Sequence, residues 1–159
     1  RQAATAKLEY RGIDLSSRMV GVAAREYGGD GAVFEARSFA DCAAAGGEYD
    51  TIVFNGSLQP FADPTATLEQ AASLLRGGSA SRLVVAHING GGYVRTERAD
   101  NPATVLSEMP SLAELTSVCE RLGLELAPWD GVELGSLGVE AAAEILDDFY
   151  LAVLERPTL

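Results

Sequence analysis

The chain is 159 residues long, enough for one domain with one core, and 47% of its residues are hydrophobic, which excludes a globally disordered polypeptide. Its formal net charge of −11 repels phosphate backbones and anionic lipid surfaces, so neither nucleic acid nor a membrane surface is an expected partner. No apolar run reaches the ~20 residues of a bilayer-spanning helix, so no membrane insertion is expected, and residues 1–10 hold no long apolar stretch of a secretory leader. Two cysteines, Cys42 and Cys119, make no disulfide framework, and a single histidine makes no His/Cys zinc set. The expectation is a reducing intracellular compartment, either the cytoplasm or an organelle interior such as a plastid or mitochondrion, and no metal site.

In chain order, Leu8 to Leu15 reads as a strand ending in an acid, after which Ser16 caps a helix through Tyr27, closed by Gly28 and Gly29. Ala32 to Ala36 is a second short strand and Phe39 to Ala45 a small helix ended by Gly46 and Gly47. Tyr49 to Asn55 is the clearest strand; its run Thr51-Ile52-Val53-Phe54 predicts cover on both faces. Asp63 and Pro64 open a helix with Leu68, Ala71, Ala72 and Leu75 on one face, and Gly77-Gly78 end it. Leu83 to Ile88 reads as another buried strand, and residues 89–110 as a long irregular loop. Ser111 and Glu114 form a capping box for a helix that Gly123 closes, with Cys119 on its apolar face. Leu124 to Pro128, Val139 to Leu146 and Phe149 to Leu154 complete the chain as a strand, a short helix and a closing strand. Alternating strands and helices predict an α/β fold with a mostly parallel sheet, and the short last connection permits an antiparallel final pair.

Open α/β sheets bind ligands beyond the carboxyl ends of their strands. At the end of the first strand stands Gly12-Ile13-Asp14-Leu15-Ser16, followed by Ser17-Arg18-Met19-Val20 and an alanine-rich helix. This string resembles the second motif region of class I S-adenosylmethionine-dependent methyltransferases, in which a strand ends in G-[IV]-D-x-S. Further matches come in the family's order. Tyr49 to Asn55 is similar to its fourth strand, Leu74-Leu75-Arg76-Gly77-Gly78 to the L-L-[KR]-x-G-G ending of the next helix, Ser81 to Ile88 to its fifth strand, and Phe149 to Leu154 to its antiparallel seventh.

The resemblance covers nearly the whole chain. It implies a three-layer Rossmann-like sandwich of strand order 3-2-1-4-5-7-6, a single domain over 1–159, and S-adenosylmethionine as cofactor. It also implies that Asp14 binds the ribose hydroxyls, Met19 packs on the adenine and Asn55 lines the cofactor pocket. Where the family often has an acid for the adenine amino group this chain has Arg37-Ser38-Phe39, so Ser38 becomes the acceptor, Phe39 the stacking ring, and Asp41 a later alternative. His87, near the end of the fifth strand, is the candidate general base, against a structural histidine. The sequence Asn55-Gly56-Ser57-Leu58 departs from the N-P-P-[YF] pattern of nucleic-acid and glutamine methyltransferases, while Tyr93, Arg95 and Arg98 offer a lid and anion contacts. Trp129 reads as packing.

The family's glycine-rich D-x-G-x-G-x-G loop and its first strand are not in the chain; the resemblance places them before Arg1, with Arg1 to Lys7 as the tail of the helix after that loop, and Gly90-Gly91-Gly92 is at the wrong place in the sheet to substitute. The expectation is therefore an N-terminally incomplete domain whose first strand comes from a further segment or a partner chain. The function implied is methyl transfer to a small molecule or a protein. The alternative is a non-catalytic methyltransferase-like structural or assembly subunit; a dinucleotide oxidoreductase is a third reading that the closing strand fits less well.

Overall fold

A computed structural model describes residues 8–77, 81–128 and 132–157; Arg1 to Lys7, Gly78 and Trp129, all read from sequence above, lie outside the described residues. The chain divides into two compact units, residues 1–47 and 48–159.

The first unit is a strand–helix–strand–helix run: β1 (Tyr10–Asp14), α1 (Ser17–Tyr27), β2 (Ala32–Ala36) and α2 (Phe39–Ala45). β1 and β2 pair in parallel from Tyr10 opposite Ala32 to Asp14 opposite Ala36, a pairing that requires a crossover, here α1. Ser16 starts that crossover by accepting a hydrogen bond from the Met19 amide. The Tyr10 and Phe34 rings pack 5.6 Å apart across the pair. Gly12 makes room for them, since a Cβ there would fall 2.7 Å from the Phe34 ring.

The second unit comprises β3 (Thr51–Asn55), α3 (Pro64–Ala72), β4 (Arg82–His87), α4 (Gly90–Asp100), α5 (Leu112–Leu122), β5 (Glu125–Leu126), α6 (Val139–Asp148) and β6 (Tyr150–Glu155). Its sheet runs β3-β4-β6-β5, with β3 parallel to β4 and β6 antiparallel to both β4 and β5. This is the order expected of the family's fourth, fifth, seventh and sixth strands. The core consists of Leu83 and Val85 from β4 and Ala152 and Leu154 from β6, with Leu68 of α3, Leu115 and Val118 of α5 and Ala142 of α6, all fully buried. Each Leu or Val so buried contributes ~1.5–3 kcal/mol of hydrophobic stabilisation.

Three elements differ from the sequence reading. Residues 89–110 are not an irregular loop, because Gly90–Asp100 is helical. The three glycines that read as a loop are there for close packing. A Cβ at Gly90, which sits at φ +72°, would fall 1.9 Å from the Asp147 carbonyl oxygen, and one at Gly91 or Gly92 would lie 3.3 Å from a carbonyl of Leu146 or Asp147. α4 can press on the carboxyl end of α6 only without side chains there.

The second difference is that α3 stops at Ala72 rather than at Gly77. The Leu74 amide turns back to the Ala71 carbonyl, and Tyr49 and Arg76 then exchange hydrogen bonds with the chain at Leu74 and Tyr49, so Leu74 and Leu75 are buried in a tight turn. The third is that β3 is not covered on both faces. Phe54 is buried against Phe61, while Thr51, Val53 and Asn55 are exposed, so its apolar run expresses β-propensity more than double burial.

Candidate functional site

The carboxyl end of the β1–β2 pair is built by short-range hydrogen bonds. The Ser16 amide donates to Asp14 Oδ1 at 2.7 Å, and the Met19 amide donates to Ser16 Oγ at 3.3 Å. The strand thus turns into α1 with the Asp14 carboxylate held at the turn. The Arg37 amide donates to the Asp14 carbonyl at 2.9 Å and ties the end of β2 to the same place. Asp14 is exposed, and beside it in sequence Leu15 and Met19 leave 79% and 56% of their surface in solvent. A carboxylate flanked by exposed apolar side chains suits a ligand with a polar sugar and an apolar ring.

Ser38 and Phe39 lie just beyond β2 at this edge. Ser38 is the N-cap of α2: its Oγ accepts from the Asp41 amide at 3.0 Å and its hydroxyl donates to Asp41 Oδ2 at 2.6 Å. The hydroxyl proton is therefore committed to Asp41, and one lone pair remains for a donor. Phe39 is half-buried as the first residue of α2.

The carboxyl end of the β3–β4 pair carries the other two candidates. Asn55 is exposed at the end of β3, and Gly56 comes next at φ +58°, its amide donating to the Ala86 carbonyl at 2.8 Å. His87 ends β4. It is 7% exposed, its Nδ1 has no hydrogen-bond partner among the described residues, and its ring stacks on that of Tyr93 with centroids 5.8 Å apart. Tyr93 belongs to α4 and is half exposed. The structure thus groups Asp14, Met19, Ser38 and Phe39 at one strand edge, in the first unit, and Asn55 with His87 at another, in the second.

The two arginines read as anion contacts are both paired with carboxylates. Arg95 makes a two-pronged bond to Asp147 at 2.8 and 2.5 Å, and Arg98 binds Glu108 at 3.1 Å. Sequence reasoning passed over Ser107, which is buried with no partner for its Oγ among the described residues. The sequence carries no signal for it, since Val105-Leu106-Ser107-Glu108-Met109 does not alternate apolar with polar residues. Among the described residues no cluster of three or more His, Cys, Asp or Glu could hold a metal ion, and no helix is long and apolar enough to cross a membrane.

Residues 1–82 match the methyltransferase domain family. No curated protein matches the chain. Among solved structures it is similar to the Haloferax volcanii complex between the Trm112 methyltransferase activator and a methyltransferase, at 20% identity and a TM-score of 0.64, over 94% of this chain and 72% of that one. It is similar to magnesium protoporphyrin IX methyltransferase from Synechocystis PCC 6803 with bound SAH, at 17% identity and a TM-score of 0.57, over 94% of this chain and 64% of that one, which is less than two thirds of its length. An S-adenosylmethionine-dependent methyltransferase from Mesorhizobium loti matches at 14% identity and a TM-score of 0.63, over 93% of this chain and 80% of that one. The chain belongs to the methyltransferase domain family, whose cofactor is S-adenosylmethionine, and has the class I methyltransferase fold.

Proposed function

We propose that this chain binds S-adenosylmethionine and serves methyl transfer to a small-molecule or protein acceptor. The observation that carries the reading is the exposed Asp14 carboxylate, held by the Ser16 amide at the carboxyl end of a parallel strand pair. Asp14 takes the ribose hydroxyls, to which a carboxylate offers two acceptor oxygens. Met19 supplies apolar cover for the adenine, and Ser38 contributes its remaining lone pair to the adenine amino group. Phe39 stacks on the ring.

The cofactor supplies a methyl group already activated on a sulfonium. The chain's own task is then to orient the acceptor in line and to exclude water, and few obligate catalytic side chains are needed. His87 is the proposed base for the acceptor's proton. The domain is proposed to gain a further strand from another segment or a partner chain, since β1 pairs only with β2 and β3 only with β4 among the described residues.

The test is calorimetric titration of S-adenosylhomocysteine into the full-length native protein. Micromolar binding is expected, weakened at least ~10-fold in Asp14→Ala through loss of charge-assisted hydrogen bonds. Asp14→Asn keeps an oxygen for the Ser16 amide, so it separates loss of the turn from loss of the ribose contact. No binding to the native protein at millimolar ligand would overturn the reading and leave a non-catalytic scaffold.

A further inference from the structure

His87 is hard to reach. It ends β4 on the same face as Leu83 and Val85, and like them it is buried. Only 7% of its surface meets solvent, and its Nδ1 is enclosed. A base has to come within hydrogen-bond reach of the proton it takes, directly or through one water. A histidine covered in this way serves an acceptor only after something moves aside.

The neighbours of the ring differ in their freedom to move. Tyr150 stands opposite His87 across the β4–β6 pair, is 1% exposed, and its hydroxyl donates to the Pro110 carbonyl at 2.6 Å. It is fixed. Gly56, just beyond β3, brings no side chain to the ring, and even a Cβ there would lie 3.9 Å from His87 Cδ2. Tyr93 is different. Its ring stacks on the imidazole with centroids 5.8 Å apart and 25° between the planes, yet 47% of its surface is in solvent.

The backbone that carries Tyr93 is held. Val94 is fully buried, and Arg95 makes its two-pronged bond to Asp147. A Cβ at Gly91 would lie 3.3 Å from the Leu146 carbonyl oxygen, so the start of α4 is packed closely on α6. Movement is left to the Tyr93 side chain, and exposed side chains change rotamer within nanoseconds. A single ring pair favours the covered form by at most about 10-fold, so an uncovered form is a minor but standing population.

We propose that Tyr93 is a gate on His87: its ring covers the imidazole at rest and swings outward to uncover it for the acceptor. The proposal rests on the reading of His87 as the base, and Tyr93 acts through that residue. Diethyl pyrocarbonate, which acylates neutral imidazole, tests it on the full chain, because His87 is the only histidine in the sequence. The rate is followed by mass spectrometry of the His87 peptide at pH ~8, where imidazole is neutral, with N-acetylhistidine as reference. The native protein is expected to react about 10-fold more slowly than the reference, Tyr93→Ala several-fold faster than native, and Tyr93→Phe, which keeps the ring, at the native rate. The native rate is also expected to stay flat in urea below the unfolding transition, because a ring swing exposes little surface. That measurement decides the matter if Tyr93→Ala fails to fold. A native rate equal to the reference overturns the proposal, as does a Tyr93→Ala rate equal to the native one. So does a folded protein that is never modified, or a native rate that climbs with urea from the outset, which means exposure by unfolding alone. Titration of S-adenosylhomocysteine into the same proteins keeps the two readings apart: failure of the gate leaves cofactor binding in place, and failure of cofactor binding leaves these rates unchanged.

Discussion

Asp147 joins two helices through one carboxylate. It receives both prongs of the Arg95 guanidinium while its own carbonyl backs onto Gly90. The hydrogen bonds from Arg95 hold the Asp147 carboxyl below its ordinary value, against a smaller opposing effect of burial. A carboxyl depressed in the folded state contributes stability above its unfolded pKa of ~3.9 and loses it as pH falls through the lower folded value. The side chains are 48% and 40% exposed, so this is a surface pair worth ~1 kcal/mol or less. Asp147→Asn is therefore expected to lower the urea midpoint slightly at pH 7, with the gap from the native protein closing below pH ~4. A gap unchanged down to pH ~2.5 would show that the aspartate acts through packing alone. Cys119 illustrates the opposite regime: burial pushes its thiol up to about 11, which keeps it protonated and inert in the core of α5.

At the scale of elements, ends are set by residues within three or four positions, and these were legible. The Ser111–Glu114 capping box forms with both reciprocal bonds present, and Gly123 closes α5 in the left-handed region at φ +63°. Asp63 and Pro64 open α3 as their order requires. Ser111→Ala is expected to lower the unfolding free energy by about 1 kcal/mol in urea titrations, and Ser111→Asp, which can still cap, to leave it nearly unchanged. Equal losses in both variants would mean that the helix end is held by packing instead. The same local logic reads Ser38: the spacing to Asp41 is a capping signature, and the structure uses it so, although resemblance alone draws attention to adenine. α4 was not legible for a physical reason. Gly90, Gly91 and Gly92 carry loop propensity, and what makes them helical is the absence of side chains against the Leu146 and Asp147 carbonyls, a contact between segments far apart in the chain.

For the whole molecule, the two units differ in what they bury. Among the described residues of the first, Cys42 is the only hydrophobic side chain that is fully covered, and no residue of α1 is. Tyr10, Leu15, Met19, Tyr27 and Val33 are exposed. Ordering a backbone residue costs ~1–2 kcal/mol, and hydrophobic burial is the main term that offsets it. The parallel pair β1–β2 is therefore expected to open far more readily than the sheet of the second unit, where Leu83, Val85, Ala152 and Leu154 are fully buried on adjoining strands. Native-state hydrogen exchange reads this directly, because protection tracks the free energy of local opening. Amides of β4 and β6 are expected to exchange at least ~100-fold more slowly than those of β1 and β2. Saturating S-adenosylhomocysteine should slow β1 and the first turn of α1 selectively, because a ligand that binds only the ordered form adds its binding energy to that form. Equal protection in β1 and β4 without ligand would refute the dependence on burial. Slowing spread evenly over β4 and β6 but absent at Asp14 and Met19 would place the ligand elsewhere.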